Sequence, residues 1–307
     1  MITYYHRTIR EDNLTTLEKP KRGSWICVTQ PTAEELTILE KSFKLDVDLL
    51  DDGIDLYEAP RLEHEDGIVY IYVRYCRPHG DTTSTHPLLL VITPDNVLSV
   101  SLHHPEPIER LLKTGDIVTT QKMRLVLEIL EQVNKGYRRY LNDVTKGILS
   151  SRNKLQHKVM SNEDVLTFID IEEDLNEFLA ALQPYSLVLH ALVTGKYLKM
   201  HERDEDLVED LQLSTSELIE LSKSRLKTIQ NIRDAYSTIA TNNLNLIFKR
   251  LTSIAIFLTI PTIIGGLYGM NIALPFAHHP QAFLIVLSII LTTIGVFIAY
   301  FHNKRWL

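Results

Sequence analysis

The chain has 307 residues, of which 23% are charged, and its formal net charge is −7. From residue 249 onwards the only charged residues are Lys249, Arg250, Lys304 and Arg305. The first 248 residues therefore carry 28 Lys and Arg against 39 Asp and Glu, a formal charge of −11. This acidic balance argues against nucleic acid as a partner, because phosphate binding needs a basic face.

Residues 1–115 are predicted to form a cytoplasmic α/β domain. Its strand-like runs are rich in Val, Ile, Leu and Tyr and are bounded by Gly, Pro and Asp. The last two runs are joined by Pro94 and Asp95 and predict a hairpin. The predicted strands are Ser24–Gln30, Gly67–Arg77, Leu88–Thr93 and Asn96–Ser101, and the predicted helices are Thr32–Phe43 and Pro107–Leu112.

The two cysteines, Cys27 and Cys76, both fall within predicted strands. Two cysteines do not make a disulfide framework, and no second ligand pair completes a zinc site. We therefore expect reduced thiols.

Residues 116–203 are predicted to form a cytoplasmic helical pair. From Gln121 to Met200 the apolar residues recur at helical spacing, with acidic clusters such as residues 172–174. A last long helix is predicted to begin between Glu202 and Ser214 and to run without proline until Pro261. Residues 204–270 would thus be a stalk helix that continues into the membrane.

Two apolar segments close the chain. Leu251–Met270 and Ala282–Phe301 each contain twenty uncharged residues, about 30 Å of helix and enough to span a bilayer. A buried hairpin of a soluble core is the alternative, which runs of this length disfavour. The joining loop, residues 271–281, lacks Lys and Arg, whereas basic residues flank the other ends, including the tail of residues 302–307. The positive-inside rule places both termini in the cytoplasm.

Polar and small residues recur along the predicted stalk helix at alternating intervals of three and four. This period is typical of a left-handed helix bundle, in which one stripe stays on the axis. Two helices of one chain cannot surround an aqueous path, so conduction requires several chains around an axis. The alternative explanation of the stripe is that its small residues let membrane helices pack closely. The stripe, with one Phe in it, consists of Asn231, Asp234, Thr238, Thr241, Asn245, Phe248, Thr252, Ala255, Thr259, Thr262, Gly266 and Gly269.

The first apolar segment ends in Tyr268-Gly269-Met270-Asn271. Gly-Met-Asn at the mouth of a membrane span, with a short loop and a second span behind it, resembles the CorA family of magnesium transport proteins. The resemblance is specific over about the last hundred residues and extends to the rest in layout. It implies a funnel-shaped homopentamer, in which an α+β cytoplasmic domain, an α/β sandwich, is followed by long helices and two C-terminal transmembrane helices.

The resemblance also implies roles for the end and the beginning of the first span. Gly269, Met270 and Asn271 would form the selectivity filter. Mg²⁺ releases its water reluctantly, so a ring of Asn271 amide oxygens can hold the hydrated ion through its waters. Phe248 and Leu251 match the hydrophobic gate of the family, where an apolar constriction blocks conduction by dewetting.

Between the predicted filter and the predicted gate, residues of the stripe are expected to line the pore. Thr262 and Asn245 match pore positions of the family when counted back from the motif, and both lie on the stripe. The predicted pore-lining residues are Asn245, Thr252, Thr259, Thr262 and Gly266.

Three carboxylates are candidates for a regulatory metal. Asp234 lies on the stripe where family members bind intracellular magnesium between subunits, Asp210 matches a second such carboxylate by spacing, and Asp81 is a third candidate in a loop after a strand. Repeated around an axis, these like charges repel unless a cation lies among them. Mg²⁺ is therefore expected both as the transported ion and as a regulator, with no organic cofactor.

No Gly-rich phosphate loop occurs in the sequence, so we expect passive influx driven by the membrane potential. A hydrolase is not indicated either, because neither Gly-x-Ser-x-Gly nor His-Glu-x-x-His is present. The chain is predicted to be a multi-pass transporter of the plasma membrane and not an enzyme. A membrane-anchored scaffold or sensor is the rival class, but it leaves the stripe and the motif unexplained.

The loop after the motif departs from the family, because it lacks the acidic residues that concentrate cations outside the membrane. It contains His278 and His279, which would repel cations when protonated, so flux is expected to weaken below about pH 6.5. Imidazoles also bind softer metals, so cobalt, nickel or zinc stay open as substrates beside Mg²⁺.

Overall fold

The computed structural model describes residues 1–79, 82–157, 162–194, 202–270, 272, 275 and 280–304. The chain divides into two compact units, Met1–Asn231 and Ile232–Leu307. The strands are β1 (Ile2–His6), β2 (Thr15–Leu17), β3 (Trp25–Thr29), β4 (Arg61–Glu65), β5 (Ile68–His79), β6 (Thr82–Ile92) and β7 (Val97–Ser101). The helices are α1 (Ala33–Phe43), α2 (Val47–Asp52), α3 (Glu106–Thr114), α4 (Lys122–His157), α5 (Asn162–Val193), α6 (Glu202–Tyr268) and α7 (Ala282–Asn303).

All seven strands form one sheet in the order β2-β1-β3-β7-β6-β5-β4. Neighbours are antiparallel except for β3 and β7, whose parallel pairing requires the long crossover between them. The four predicted strands correspond to β3, β5, β6 and β7, and the predicted hairpin closes where the Thr93 N–H donates to the Asn96 carbonyl over 2.9 Å. The edge strands β2 and β4, the strand β1 beside β2 and the short helix α2 were not predicted.

The first unit is a helix–sheet–helix sandwich. Side chains alternate between the two faces of a strand, and one face of the sheet packs against α1 and α2 through residues such as Val28, Leu39 and Leu50. On the other face, the Tyr137 hydroxyl of α4 donates to the Arg74 carbonyl of β5. Both faces of the central strands are therefore buried, which explains their nearly continuous apolar sequences.

Strand β6 is longer than predicted, because its first half is stabilised by a helix in place of a strand. β7 pairs only with Leu89–Ile92, which leaves the preceding edge of β6 without a strand partner. Asp174 of α5 accepts the Thr83 N–H over 2.9 Å, and Glu177 accepts the N–H and the hydroxyl of Thr85 over 2.6 and 2.7 Å. The next residue that faces this edge is Pro87, which has no N–H. We call Asp174 and Glu177 the carboxylate clamp.

The long helices follow the predicted order. α4 and α5 pack through Tyr137 and Tyr140, whose rings meet Phe178 edge-on at 5.1 and 4.8 Å. α6 begins at Glu202, within the predicted interval, and continues past Pro261 to Tyr268. α7 extends two residues beyond the predicted second span. The domain bounds at residues 115 and 203 remain predictions, since both lie inside the first compact unit.

Candidate ion-conduction site

α6 and α7 are the two helices in the described part of the chain that are long and apolar enough to cross a membrane. In their apolar windows, 6% of the residues are buried in α6 and none in α7. The hairpin of a soluble core, which was the alternative from the sequence, does not fit such exposed apolar surface. These helices need lipid or other protein chains to cover them.

α6 and α7 contact each other along one face of α6. Phe257 of α6 meets Phe301 of α7 with ring centroids 5.8 Å apart, and Ser253, one turn earlier on α6, is fully buried. The half-buried residues that continue this face recur at helical spacing. We call this face of α6 the seam; it consists of Ser253, Ile256, Phe257, Ile260, Ile264 and Tyr268.

The polar stripe lies on the opposite side of α6 from the seam. At about 100° per residue, the stripe positions after Phe248 are centred roughly 160° around the helix from the seam positions. All twelve stripe residues, from Asn231 to Gly269, are exposed in the single chain. α7 therefore does not cover the stripe, and the stripe is available to line an axis between chains.

Threonine hydroxyls of the stripe present oxygen acceptors. Thr238, Thr259 and Thr262 each donate their hydroxyl hydrogen to the carbonyl four residues earlier, over 3.0, 2.8 and 2.8 Å. The donor is thereby used within the helix, and the oxygen keeps lone pairs free. Such oxygens can accept hydrogen bonds from the waters of a hydrated cation.

The predicted gate residues are large, apolar and exposed. Phe248 is 62% exposed and Leu251 60% exposed, next to the cationic pair Lys249 and Arg250.

Backbone hydrogen bonds complete the last turn of α6. The Gly269 N–H donates to the Gly265 carbonyl over 3.0 Å, and the Met270 N–H donates to the Leu267 carbonyl over 3.1 Å. A side chain at position 269 would come within 3.3 Å of the Gly265 carbonyl oxygen, so glycine favours this close turn. Met270 is 53% exposed.

Two further hydrogen bonds organise the segment around the motif. The Ile272 N–H donates to the Met270 carbonyl over 2.9 Å, and the Tyr268 hydroxyl donates to the Pro275 carbonyl over 3.0 Å. The sequence prediction missed this tyrosine contact, because nothing in the sequence marks Pro275 as its acceptor. Asn271 itself lies outside the described residues, as do His278 and His279.

The predicted regulatory carboxylates lie in different parts of the chain. Asp210 and Asp234 are both exposed, and Asp210 belongs to the first compact unit and Asp234 to the second. Asp81 lies outside the described residues. Among the residues that the structure describes, no three His, Cys, Asp or Glu side chains come together as a metal site.

Titratable groups of the first unit are shifted by burial. Burial, together with the charges of His103, Arg77 and Arg74, lowers the pKa of His86 to about 4. His86 and His103 meet edge-on with ring centroids 4.9 Å apart.

Burial also raises the pKa values of both thiols. The pKa of Cys27 is raised to about 11, and the pKa of Cys76 is raised well above its usual value. Both cysteines are free and buried, so they are poor nucleophiles in the folded protein.

Comparison with known proteins defines the class to which this fold and this site belong. The family model described as CorA-like Mg²⁺ transporter protein matches residues 20–305. The chain is 27% identical over 297 residues to the cobalt/magnesium transport protein CorA of Methanocaldococcus jannaschii, covering 92% of this chain and 91% of that protein. The chain therefore belongs to the CorA-like Mg²⁺ transporter family. It is a divalent metal ion transporter of the membrane and not an enzyme.

Solved structures agree with this assignment. The complete structure of the CorA magnesium transporter from M. jannaschii matches with a TM-score of 0.90 and 25% identity, over 100% of this chain and 99% of that chain. The full-length CmaX protein shares the fold at a TM-score of 0.79 and 16% identity, over 99% and 97% of the two chains. The α/β domain, the long helices and the two candidate C-terminal membrane helices thus form the architecture expected from the resemblance.

Proposed function

We propose that the protein is a homopentameric channel that conducts Mg²⁺ into the cell, with the stripe of α6 lining the axis. The observation that carries this proposal is the exposure of the whole stripe opposite the α7 seam. Polar side chains within an apolar segment are unfavourable against lipid, so they require water or another chain. An aqueous axis between copies supplies both.

Selection is proposed to occur at a ring of Asn271 amides, with Gly269 and Met270 shaping the turn before it. The bound ion keeps its water, because the dehydration of Mg²⁺ is slow and costly. Threonine oxygens at 252, 259 and 262 would then accept hydrogen bonds from the same waters along the axis. Neutral oxygens bind weakly enough for the ion to leave again.

Control is proposed at the other end of the span. Phe248 and Leu251 form the apolar gate, and Mg²⁺ bound through Asp234 and Asp210, with Asp81, holds the closed ring together. A fall in internal Mg²⁺ leaves these carboxylates to repel one another, which loosens the ring. Opening then wets the apolar constriction.

The proposed driving force is the membrane potential. Moving the two charges of Mg²⁺ inward releases about 4.6 kcal/mol per 100 mV, from roughly 2.3 kcal/mol per elementary charge. The proposed orientation, with both termini in the cytoplasm and the protein in the plasma membrane, follows from the basic residues that flank α7 and the apolar part of α6.

Two alternative functions can be tested against this proposal. A transition metal such as Co²⁺, Ni²⁺ or Zn²⁺ could be the physiological cargo, and His278 with His279 in the loop favours such softer ions. A non-conducting scaffold or sensor would use α7 and α6 only as an anchor. It predicts no dependence of any ion flux on the stripe.

The first experiment is flux into liposomes that contain a magnesium-reporting dye, under an inside-negative potential. Wild type, Asn271→Ala and Asp234→Ala are compared, and Co²⁺ and Zn²⁺ are tried in parallel. We expect Asn271→Ala to abolish Mg²⁺ flux and Asp234→Ala to weaken inhibition by Mg²⁺ at the cytoplasmic face. A correctly inserted wild-type oligomer that conducts none of the three ions would contradict the channel and favour the scaffold.

The lining itself is tested by thiol modification. Because Cys27 and Cys76 are buried, single cysteines can be introduced without removing them. Thr259→Cys on the stripe should react with a cationic methanethiosulfonate reagent and lose flux, whereas the matched variant Ile264→Cys on the seam should not. Equal reactivity at both positions would mean that the stripe does not face the aqueous path.

A further inference from the structure

We propose that Asn134 of α4 is a positioning residue, which fixes the axial register of α6 against α4 and thereby sets the internal Mg²⁺ concentration at which the channel closes. The inference rests on the proposed function, since it concerns control by internal Mg²⁺. Asn134 does not touch the ion in this proposal. It holds the stretch of α6 that contains Asp210, one of the proposed regulatory carboxylates.

Asn134 is a buried polar residue in an apolar layer. It is 3% exposed, and Leu130 and Val133 beside it on α4 are fully buried. Its Nδ2 group donates to the Thr215 hydroxyl of α6 over 3.0 Å and to the Leu211 carbonyl over 3.4 Å. The amide therefore connects α4 to α6 inside the first compact unit, away from solvent.

The apolar residues on the buried face of α6 do not by themselves select one register. Between residues 203 and 224 the buried positions alternate at spacings of four and three, and they are Asp204, Val208, Leu211, Thr215, Leu218 and Ser222. One-turn slips of one packed element along another occur in proteins that switch between states. A slip of three or four residues would place Leu218 or Leu211 opposite Asn134 in place of Thr215, and neither side chain has an acceptor. A buried amide without a partner is costly, so Asn134 disfavours these other registers.

Asn134 contributes specificity more than stability. Its Oδ1 atom is buried and has no hydrogen-bond partner among the described residues. The Thr215 hydroxyl donates its own hydrogen to the Leu211 carbonyl over 2.8 Å, so this donor stays paired when Asn134 is replaced. An apolar side chain of similar size at position 134 should therefore not destabilise the fold. A single buried Asn fixes the register of a coiled coil in the same way, at a cost in stability.

A second contact, at the surface, is compatible with the same register. Arg138, one turn after Asn134, donates to the two carboxylate oxygens of Glu217 over 3.2 and 2.7 Å and to the Ser214 hydroxyl over 3.3 Å. The side chains of Arg138 and Glu217 are 41% and 61% exposed, so this ion pair contributes little. The long arginine side chain could follow a slip of α6, whereas the short side chain of Asn134 could not.

The test measures two quantities on the full-length protein. One is the apparent melting temperature in detergent, and the other is the cytoplasmic Mg²⁺ concentration that half-inhibits the current in inside-out membrane patches. Asn134→Leu should keep the melting temperature at or above that of wild type. Because its α6 occupies the observed register for only part of the time, the half-inhibitory concentration should rise by roughly threefold to tenfold, the range expected for the loss of one hydrogen bond.

Two further variants make the test specific to this bond. Thr215→Val removes the acceptor hydroxyl and keeps the side-chain shape, so it should also raise the half-inhibitory concentration. The double variant Asn134→Leu, Thr215→Val should be no worse than the stronger single variant, because both changes remove the same bond. Ser222→Ala is the matched control, since Ser222 is buried on the same face of α6 and its hydroxyl donates to the Leu218 carbonyl of α6 itself over 2.9 Å. It should be inhibited as wild type is.

Three results would overturn the inference: a half-inhibitory concentration in Asn134→Leu that is unchanged or lower, an equal rise in Ser222→Ala, or a rise in Asn134→Leu that comes with a lower melting temperature. In each of these cases wild type still conducts and is still inhibited by Mg²⁺, so the proposed function survives. A wild-type protein that carries no current, or whose current is insensitive to cytoplasmic Mg²⁺, would contradict the proposed function and the inference with it.

Discussion

Removing half of the carboxylate clamp should open the free edge of β6. In Glu177→Ala, the N–H and the hydroxyl of Thr85 lose the acceptor that lies 2.6 and 2.7 Å away. Thr85 is only 3% exposed, so water cannot readily replace that acceptor. An unpaired buried donor is costly, and the first half of β6 has no strand on this side to compensate.

The magnitude follows from the kind of bond that is lost. Hydrogen bonds to charged groups contribute about 1.5–3 kcal/mol, and because the Glu177 side chain is 37% exposed we take the lower part of that range, about 2 kcal/mol. The Arg74 guanidinium, 4.0 Å from the same carboxylate, adds little at that distance and exposure. A loss of about 2 kcal/mol in local opening corresponds to roughly 30-fold faster amide exchange.

The assay is hydrogen exchange by mass spectrometry on the full-length protein in detergent, with peptides that cover residues 83–88. Glu177→Gln keeps an oxygen acceptor without the charge and should show a smaller increase. Glu173→Ala, an exposed carboxylate one turn earlier on α5, is the matched control. Unchanged exchange in Glu177→Ala, or an equal increase in Glu173→Ala, would refute the view that the clamp replaces a strand.

Three further predictions concern pH and the gate. The pKa of His86 in the folded protein lies at about 4, below its value in the unfolded chain. Its contribution to stability is therefore complete above about pH 6.5 and is lost as the pH falls towards 4. Over this range the melting temperature should fall less in His86→Gln than in wild type. Mg²⁺ flux should weaken below about pH 6.5 and be restored by replacing His278 and His279 with Gln, and flux that is constant from about pH 8 to about pH 5.5 would contradict a role for these histidines. Phe248→Ala should leave flux less sensitive to high internal Mg²⁺, whereas Phe283→Ala on the exposed face of α7 should not, and equal sensitivity in Phe248→Ala and wild type would argue against the gate.

The sequence predicted the centre of the fold better than its edges. β3, β5 and β7 are buried on both faces and read as apolar runs, which is a strong signal. β4, Arg61–Glu65, contains three charged residues and a histidine, because an edge strand of this sheet is partly exposed. The first half of β6 was missed for another reason: its partner on one side is the side chains of α5, which are distant in sequence.

The same distinction applies to the candidate site. The stripe could be predicted because a helix gives residues three and four apart a common face, and the structure leaves that face exposed. The Tyr268 bond to Pro275 could not, because it depends on how the chain turns after α6 and no local periodicity encodes it. The roles of Asn271, the gate and the regulatory carboxylates remain predictions, since they depend on neighbouring copies of the chain.

The unbroken course of α6 restricts how its length can change. One residue inserted between Asp234 and Asn245 would turn every later position by about 100°. Thr252, Thr259 and Thr262 would then no longer lie on the same side of the helix as Asp234. Seven inserted residues would leave an error of only about 20°. Insertions, deletions and chimaeras in this segment should therefore preserve function only when they change the length of the helix by multiples of seven residues.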